Sequence, residues 1–266
     1  MVVFGVLAAR PARADLTVIT SSQAAAAPSR LVDQAVARVG SSVITLRELL
    51  EEARLTLLRE GGLDALTILD LGPTQLDAVL AAVGGAVGED GPRELAALLG
   101  TVLASMVQRT LLLDEVRRLE LSEVPEARVD AAVEELMVRV GSPARFRSGL
   151  ERVGFTGWSG DAPEAVRAWL RAEASVERLL ELGLGTVAPL DPARVRACVA
   201  ALASDGAARA PSAARVEEAM LLLRAVGRAQ ALVDRVAERV EIAYAPPFGP
   251  QPPPDLDRCP HLEELP

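Results

Sequence analysis

One short strand pattern, Val240-Glu241-Ile242-Ala243-Tyr244, closes a chain whose other periodicities are almost all helical. Val240, Ile242 and Tyr244 alternate with Glu241 and Ala243, as in a half-buried strand. Such a strand needs a partner, because backbone N–H and C=O groups are costly to bury unpaired. The only other strand-prone material lies near the start, where two β-prone runs within residues 35–45 flank the turn Gly40-Ser41-Ser42. The two ends are therefore expected to meet. The fold class that follows is mainly α, with a small sheet formed by an N-terminal hairpin and a C-terminal strand.

Between those ends the apolar residues recur at helical spacing. Thr45 and Glu48 form a capping box, and Leu46, Leu49, Leu50, Ala53 and Leu57 give a one-faced helix that ends at Gly61-Gly62. Residues 61–100 are rich in Gly and carry two short helical patterns, one behind Pro73 and one behind Pro92. A helix apolar on most sides is expected over residues 101–119, which argues for burial. Further helices are expected from Pro125 to Gly141, over 143–153, from Glu164 to Gly183, and from Asp191-Pro192 to Asp205-Gly206. The last and longest is expected to begin at Ser212, with Val216, Met220, Val226, Val233 and Val236 on its stripe.

Composition narrows the function. Hydrophobic residues make up 50% of the 266 residues, enough for a core, while aromatics are only 3%, so that core is built from Leu, Val and Ala. The net charge is −9 and all basic residues are Arg, with no patch of Arg and aromatics together, so no nucleic-acid partner is expected. No run of about 18 apolar residues occurs, so no membrane span is expected. His261 is the only histidine and lies near the C-terminus, which removes His-based triads from the folded part. Without Lys there is no phosphate-binding P-loop. The paired carboxylates Glu51-Glu52, Glu134-Glu135 and Glu217-Glu218 are expected on solvated helix faces. The sequence thus predicts no catalytic residue, no metal site and no cofactor.

The termini bear on location. Met1 to Ala9 is apolar and Ala12-Arg13-Ala14 precedes Asp15, a pattern like the end of a secretory signal, so residues 1–14 are read as a signal peptide. Residues 15–30 are read as a disordered linker, 31–245 as the helical core, with 61–100 an atypical insertion, and 246–266 as a Pro-rich solvated tail. Cys198 and Cys259 either pair, pinning the tail in an exported protein, or remain two unpaired thiols. Met137, Phe146, Phe155, Trp158, Trp169 and Met220 are either core or an adaptable surface for apolar polypeptide segments.

The segment Val32-Asp33-Gln34-Ala35-Val36-Ala37-Arg38-Val39-Gly40-Ser41-Ser42-Val43-Ile44-Thr45-Leu46-Arg47-Glu48-Leu49 resembles the opening of the SurA-type periplasmic chaperones. The leucine-rich run from Met106 to Leu119, the stretch Val129-Asp130-Ala131-Ala132-Val133-Glu134, the helix at 164–182, Asp191 to Arg196 and the closing helix and strand fit the same order over residues 31–245. The segment 61–100 is longer than the family's usual link. The family's parvulin-type isomerase domain would fall between Ala203 and Ser212, where only residues 204–211 stand, far short of a domain of about 100 residues. The resemblance implies an exported chaperone core, periplasmic in location, that holds unfolded or outer-membrane polypeptides without isomerase activity. The alternative is a helical adaptor or scaffold for a single folded partner.

Overall fold

The computed structural model describes residues 34–61, 79–80, 93–152, 154–184, 190–204, 212–250 and 259. The signal-like segment 1–14, the stretch 15–30, the helical pattern behind Pro73 (apart from residues 79–80) and His261 lie outside the described residues.

Strand β1 (Ala35–Val39) and strand β2 (Ser42–Thr45) form an antiparallel hairpin, with a bulge between Ala35 and Ala37. Gly40 turns the hairpin at φ +57°, a conformation that suits glycine. Strand β5 (Ile242–Tyr244) pairs antiparallel with β1, Ala37 opposite Tyr244 and Val39 opposite Ile242, so the sheet order is β2-β1-β5. Hydrogen bonds from Gly40 N to Glu241 O (2.8 Å) and from Ala245 N to Val36 O (3.0 Å) extend the pairing at both ends. The two ends of the folded chain meet. Val240 stands before the strand rather than in it, with its side chain against the Gly40 turn. Ala243, expected to face outward, is fully buried.

Helix α1 (Leu46–Gly61) starts where the capping box predicts: Thr45 N donates to Glu48 Oε2 (2.7 Å) and Glu48 N donates to Thr45 Oγ1 (3.3 Å). It is not one-faced. Leu46, Leu49 and Ala53 enter the main core, whereas Leu55 and Leu58 enter a second one. Helix α2 (Arg93–Arg118) runs 26 residues without a break at Gly100, so the pattern behind Pro92 is its first turns and not a separate helix of an insertion. It is one residue longer than α7 (Ala213–Ala237, 25 residues), which the sequence marked as longest. Helix α2 packs against α1, α7, β1 and α5 (Glu164–Leu184), so it is the central element. From Leu95 to Arg118 it is long and apolar enough, by length and composition, to cross a membrane, although Gln108, Arg109 and Thr110 interrupt its apolar residues. Within that stretch 67% of the apolar window is buried against neighbouring elements, as in the core helix of a globular fold.

Helix α3 (Glu126–Val140) follows Pro125 and stops at Gly141, whose φ of +107° closes the turn. Helix α4 (Pro143–Arg152) leads to a two-residue hairpin, β3 (Trp158–Ser159) with β4 (Ala162–Pro163), which periodicity did not announce. Strands this short carry no alternation to read. The second core lies here, built on Val133, Leu136, Val140, Phe146, Leu150, Phe155, Val166 and Trp169 together with Leu55 and Leu58 of α1.

Helix α6 (Pro192–Ser204) begins after Asp191, whose Oδ1 accepts from Ala193 N (2.9 Å), and packs on the first half of α7. Ser212 caps α7 by accepting from Arg215 N. A third, smaller cluster joins these two helices, and a disulfide links Cys198 of α6 to Cys259 (Cα–Cα 5.5 Å). The stretch after Pro246 is not wholly solvated, since Phe248 is buried in the main core.

Candidate functional site

The most elaborate polar arrangement lies where α1, α2 and α5 pack. Glu52, read as part of a solvated pair, is 8% exposed. Its carboxylate accepts two hydrogen bonds from the Arg109 guanidinium, that from Nη1 at 2.6 Å, and a third from Trp169 Nε1 at 2.8 Å. Arg59, two turns further along α1, donates to Glu173 (2.7 Å), and its guanidinium lies 5.3 Å from the centre of the Trp169 ring. Glu173 is also 3.7 Å from Arg109. Two carboxylates and two guanidinium groups thus balance, and Trp169 fits between them with its ring in the second core.

Burial pushes the Glu173 carboxyl above its usual range, an effect that Arg59 and Arg109 only partly offset. Burial acts to lower Arg109, but its bonds to Glu52 and the charges of Glu52 and Glu173 hold it above the ordinary guanidinium value. Every strong donor and acceptor here is turned inward and engaged. The cluster aligns three helices, and it offers no unengaged nucleophile or base to a substrate. A spacing signal existed: Glu52 lies between Leu49 and Ala53 on the buried stripe of α1. The pairwise pattern Glu51-Glu52 hid it.

The six candidate contact residues separate. Phe146, Phe155 and Trp169 are buried in the second core, and Met220 is buried in the third cluster between α6 and α7. Met137 and Trp158 are half-buried at the edge of the second core. Arg147 stacks on Trp158 at 4.3 Å. Of the carboxylate pairs, Glu134-Glu135 and Glu217-Glu218 are exposed.

Beside Met137 an open pocket of about 440 Å³ lies between α3 and the β3–β4 hairpin. Val133 and Met137 give it apolar walls; Asp130, Glu134, Asp161, Ser159 and Gly160 ring it, and Arg167 closes one side. Arg167 donates to Asp130 (2.6 Å) and Glu126 (2.8 Å), which hold its charge in place and raise its pKa, the bond to Asp130 most. Arg171 donates to the other Glu126 oxygen (2.8 Å), so α3 and α5 are tied along the pocket's flank. No protein family, curated protein or solved structure matches the chain. Among the described residues no group of three or more His, Cys, Asp or Glu is placed to hold a metal ion. What the pocket offers is two apolar side chains within an acidic rim, with one guanidinium at its side.

Proposed function

We propose that this chain is an exported, SurA-like chaperone core that holds unfolded or outer-membrane polypeptides and has no isomerase activity. The observation that carries the reading is the closure of the first hairpin by the last strand, β5 on β1. Hairpin, capped helix, helical middle, long helix and closing strand follow one another in the order that the resemblance over residues 31–245 implies. The Cys198–Cys259 disulfide suits an oxidising compartment outside the cytoplasm. Client contact falls to Met137 and Trp158, the two half-exposed candidates, at and near the open pocket. Adaptable side chains of this kind bind many apolar segments loosely, and a net charge of −9 keeps such a holder in solution.

The purified chain is expected to slow aggregation of a urea-unfolded outer-membrane protein diluted into buffer, with the Met137→Ala/Trp158→Ala variant less effective. It is expected to leave prolyl-peptide isomerisation at the uncatalysed rate. Unslowed aggregation would remove the proposal.

A second reading, an adaptor for one folded partner, draws on the burial of Phe146, Phe155, Trp169 and Met220. Among the described residues the large exposed apolar side chains are Val43, Leu119, Val138, Leu182 and Leu222, scattered along the chain. Co-purification of one protein in fixed ratio, with no effect on aggregation, would favour the adaptor.

A further inference from the structure

Helix α3 carries Asp130, Val133, Glu134 and Met137 at positions i, i+3, i+4 and i+7, so acids and apolar side chains share one face of it. The β3–β4 hairpin supplies the other wall of the pocket. Gly160, at φ +64°, and Asp161 form its two-residue turn, which places Asp161 at the hairpin tip. Helix face and hairpin tip, with Ser159 and Arg167, enclose the space of about 440 Å³.

The pocket is short of positive charge. Three carboxylates line it against one guanidinium, and that guanidinium is committed: Arg167 donates to Asp130 and to Glu126. Other arginines are engaged elsewhere. Arg171 donates to Glu126, Arg139 to Glu135 and to the Arg59 carbonyl, and Arg147 lies on the Trp158 ring. Among the described residues the carboxylates of Glu134 and Asp161 have no hydrogen-bond or ion-pair partner. Beside them Val133 is buried and Met137 half-buried. An aliphatic stem that ends in a cation matches both parts of this lining, the stem on the apolar side chains and the head at the carboxylates. Asp130, Glu134, Ser159, Gly160 and Asp161 are all exposed, so the pocket opens broadly to solvent. A small-molecule site encloses most of its ligand, about 70–90% of the surface. An open pocket fits better a side chain whose backbone passes outside it.

We propose that this pocket seats a basic side chain of an extended polypeptide, its stem on Val133 and Met137 and its charged head paired with Glu134 and Asp161. Such a pocket favours segments in which a basic residue interrupts an apolar stretch. That the occupant is a polypeptide rests on the proposed function; the preference for a cation rests on the pocket alone. Both carboxylates are exposed, so each pairing contributes modestly, and the preference for a basic over a neutral residue is expected to be about three- to tenfold.

Fluorescence anisotropy on the full chain tests the pocket with short labelled peptides, alike except for a central arginine, glutamine or glutamate between two leucines. The arginine peptide is expected to bind about three- to tenfold more tightly than the glutamine peptide, and the glutamate peptide most weakly. Added salt is expected to shrink that preference. In Glu134→Gln/Asp161→Asn it is expected to fall to parity, with the melting temperature unchanged; Asp161→Asn alone, at the hairpin tip, is expected to lose part of it. Equal binding of the arginine and glutamine peptides, or no binding of either, overturns the proposal, and so does a preference that survives in the double variant. Agmatine carries the same stem and guanidinium without a backbone. Displacement of the arginine peptide by agmatine at concentrations near the peptide's own Kd would make the site one for a free cation and overturn the polypeptide occupant; displacement only at far higher concentrations supports it. The aggregation assay reads the proposed function separately. An arginine preference with unslowed aggregation removes the chaperone reading and leaves the cation pocket, whereas slowed aggregation with no preference removes the pocket and leaves the chaperone reading.

Discussion

At the scale of single residues, Thr45 and Glu48 set the start of α1. Thr45 and Glu48 stand three apart, and the reciprocal bonds of a capping box need nothing beyond that spacing. Gly141 is likewise legible as a stop, because a left-handed turn favours glycine. Glu52 was misread because its ionisable group is normally solvated; only Arg109 and Trp169, from two other helices, make its burial tolerable. Gln108 is the converse case. It is fully buried in α2 and neither of its amide atoms meets a hydrogen-bond partner in the protein. An unmet buried amide costs about 1–3 kcal/mol, so Gln108→Leu is expected to stabilise the fold by about 1 kcal/mol in urea denaturation. A destabilised variant would mean that a partner such as a buried water satisfies the amide.

At the scale of elements, the number and order of the long helices followed from period and caps, but their faces did not. Helix α1 buries two stripes because it stands between two cores, and a second stripe is invisible until the second core exists. Helix α2 absorbed a segment read as separate because burial on many sides stabilises a helix through Gly100 despite glycine's poor propensity. Its end is tied to the end of α7. Glu115 accepts from Arg118 (2.7 Å) and from Arg239 (3.2 Å), and chiefly the Arg118 bond holds its carboxyl below the usual value of 4.5. A carboxyl whose folded pKa is depressed contributes stability above its unfolded pKa and loses it as pH falls through the folded one. Melting temperature should therefore decline as the pH drops below the ordinary carboxylate range, and Glu115→Gln should flatten part of that decline. Both arginines are more than half exposed, so solvent screens the pair and the effect is modest. An unchanged slope in the variant would assign the decline to other carboxylates.

At the scale of the whole molecule, the sheet makes the N-terminal hairpin depend on the last residues of the fold. Ending the chain after Gly227 removes Ala229, Val233, Val236, Ala237, Tyr244 and Phe248 from the main core, together with the partner of β1. Burial of one large apolar side chain is worth about 1.5–3 kcal/mol, and a domain is stable by only about 5–15 kcal/mol. The shortened chain is expected to lose its cooperative thermal transition. Retention of a cooperative transition with a protected hairpin would show that the N-terminal body stands alone.

The sequence by itself determined the long helices and the three strands of the larger sheet, though not the β3–β4 hairpin, and that the closing strand had one place to pair, since period, caps and the scarcity of strand-prone residues are local or countable properties. Tertiary structure alone decided that Phe146, Phe155 and Trp169 are core while Met137 and Trp158 are half-exposed, and that Glu52, Arg59, Arg109 and Glu173 form one network. Only the fold brought Cys198 to Cys259, across a separation of 61 residues. The reason is common to all three: a side chain's exposure and partners depend on what packs opposite it, and in a helical fold that neighbour comes from a distant part of the chain.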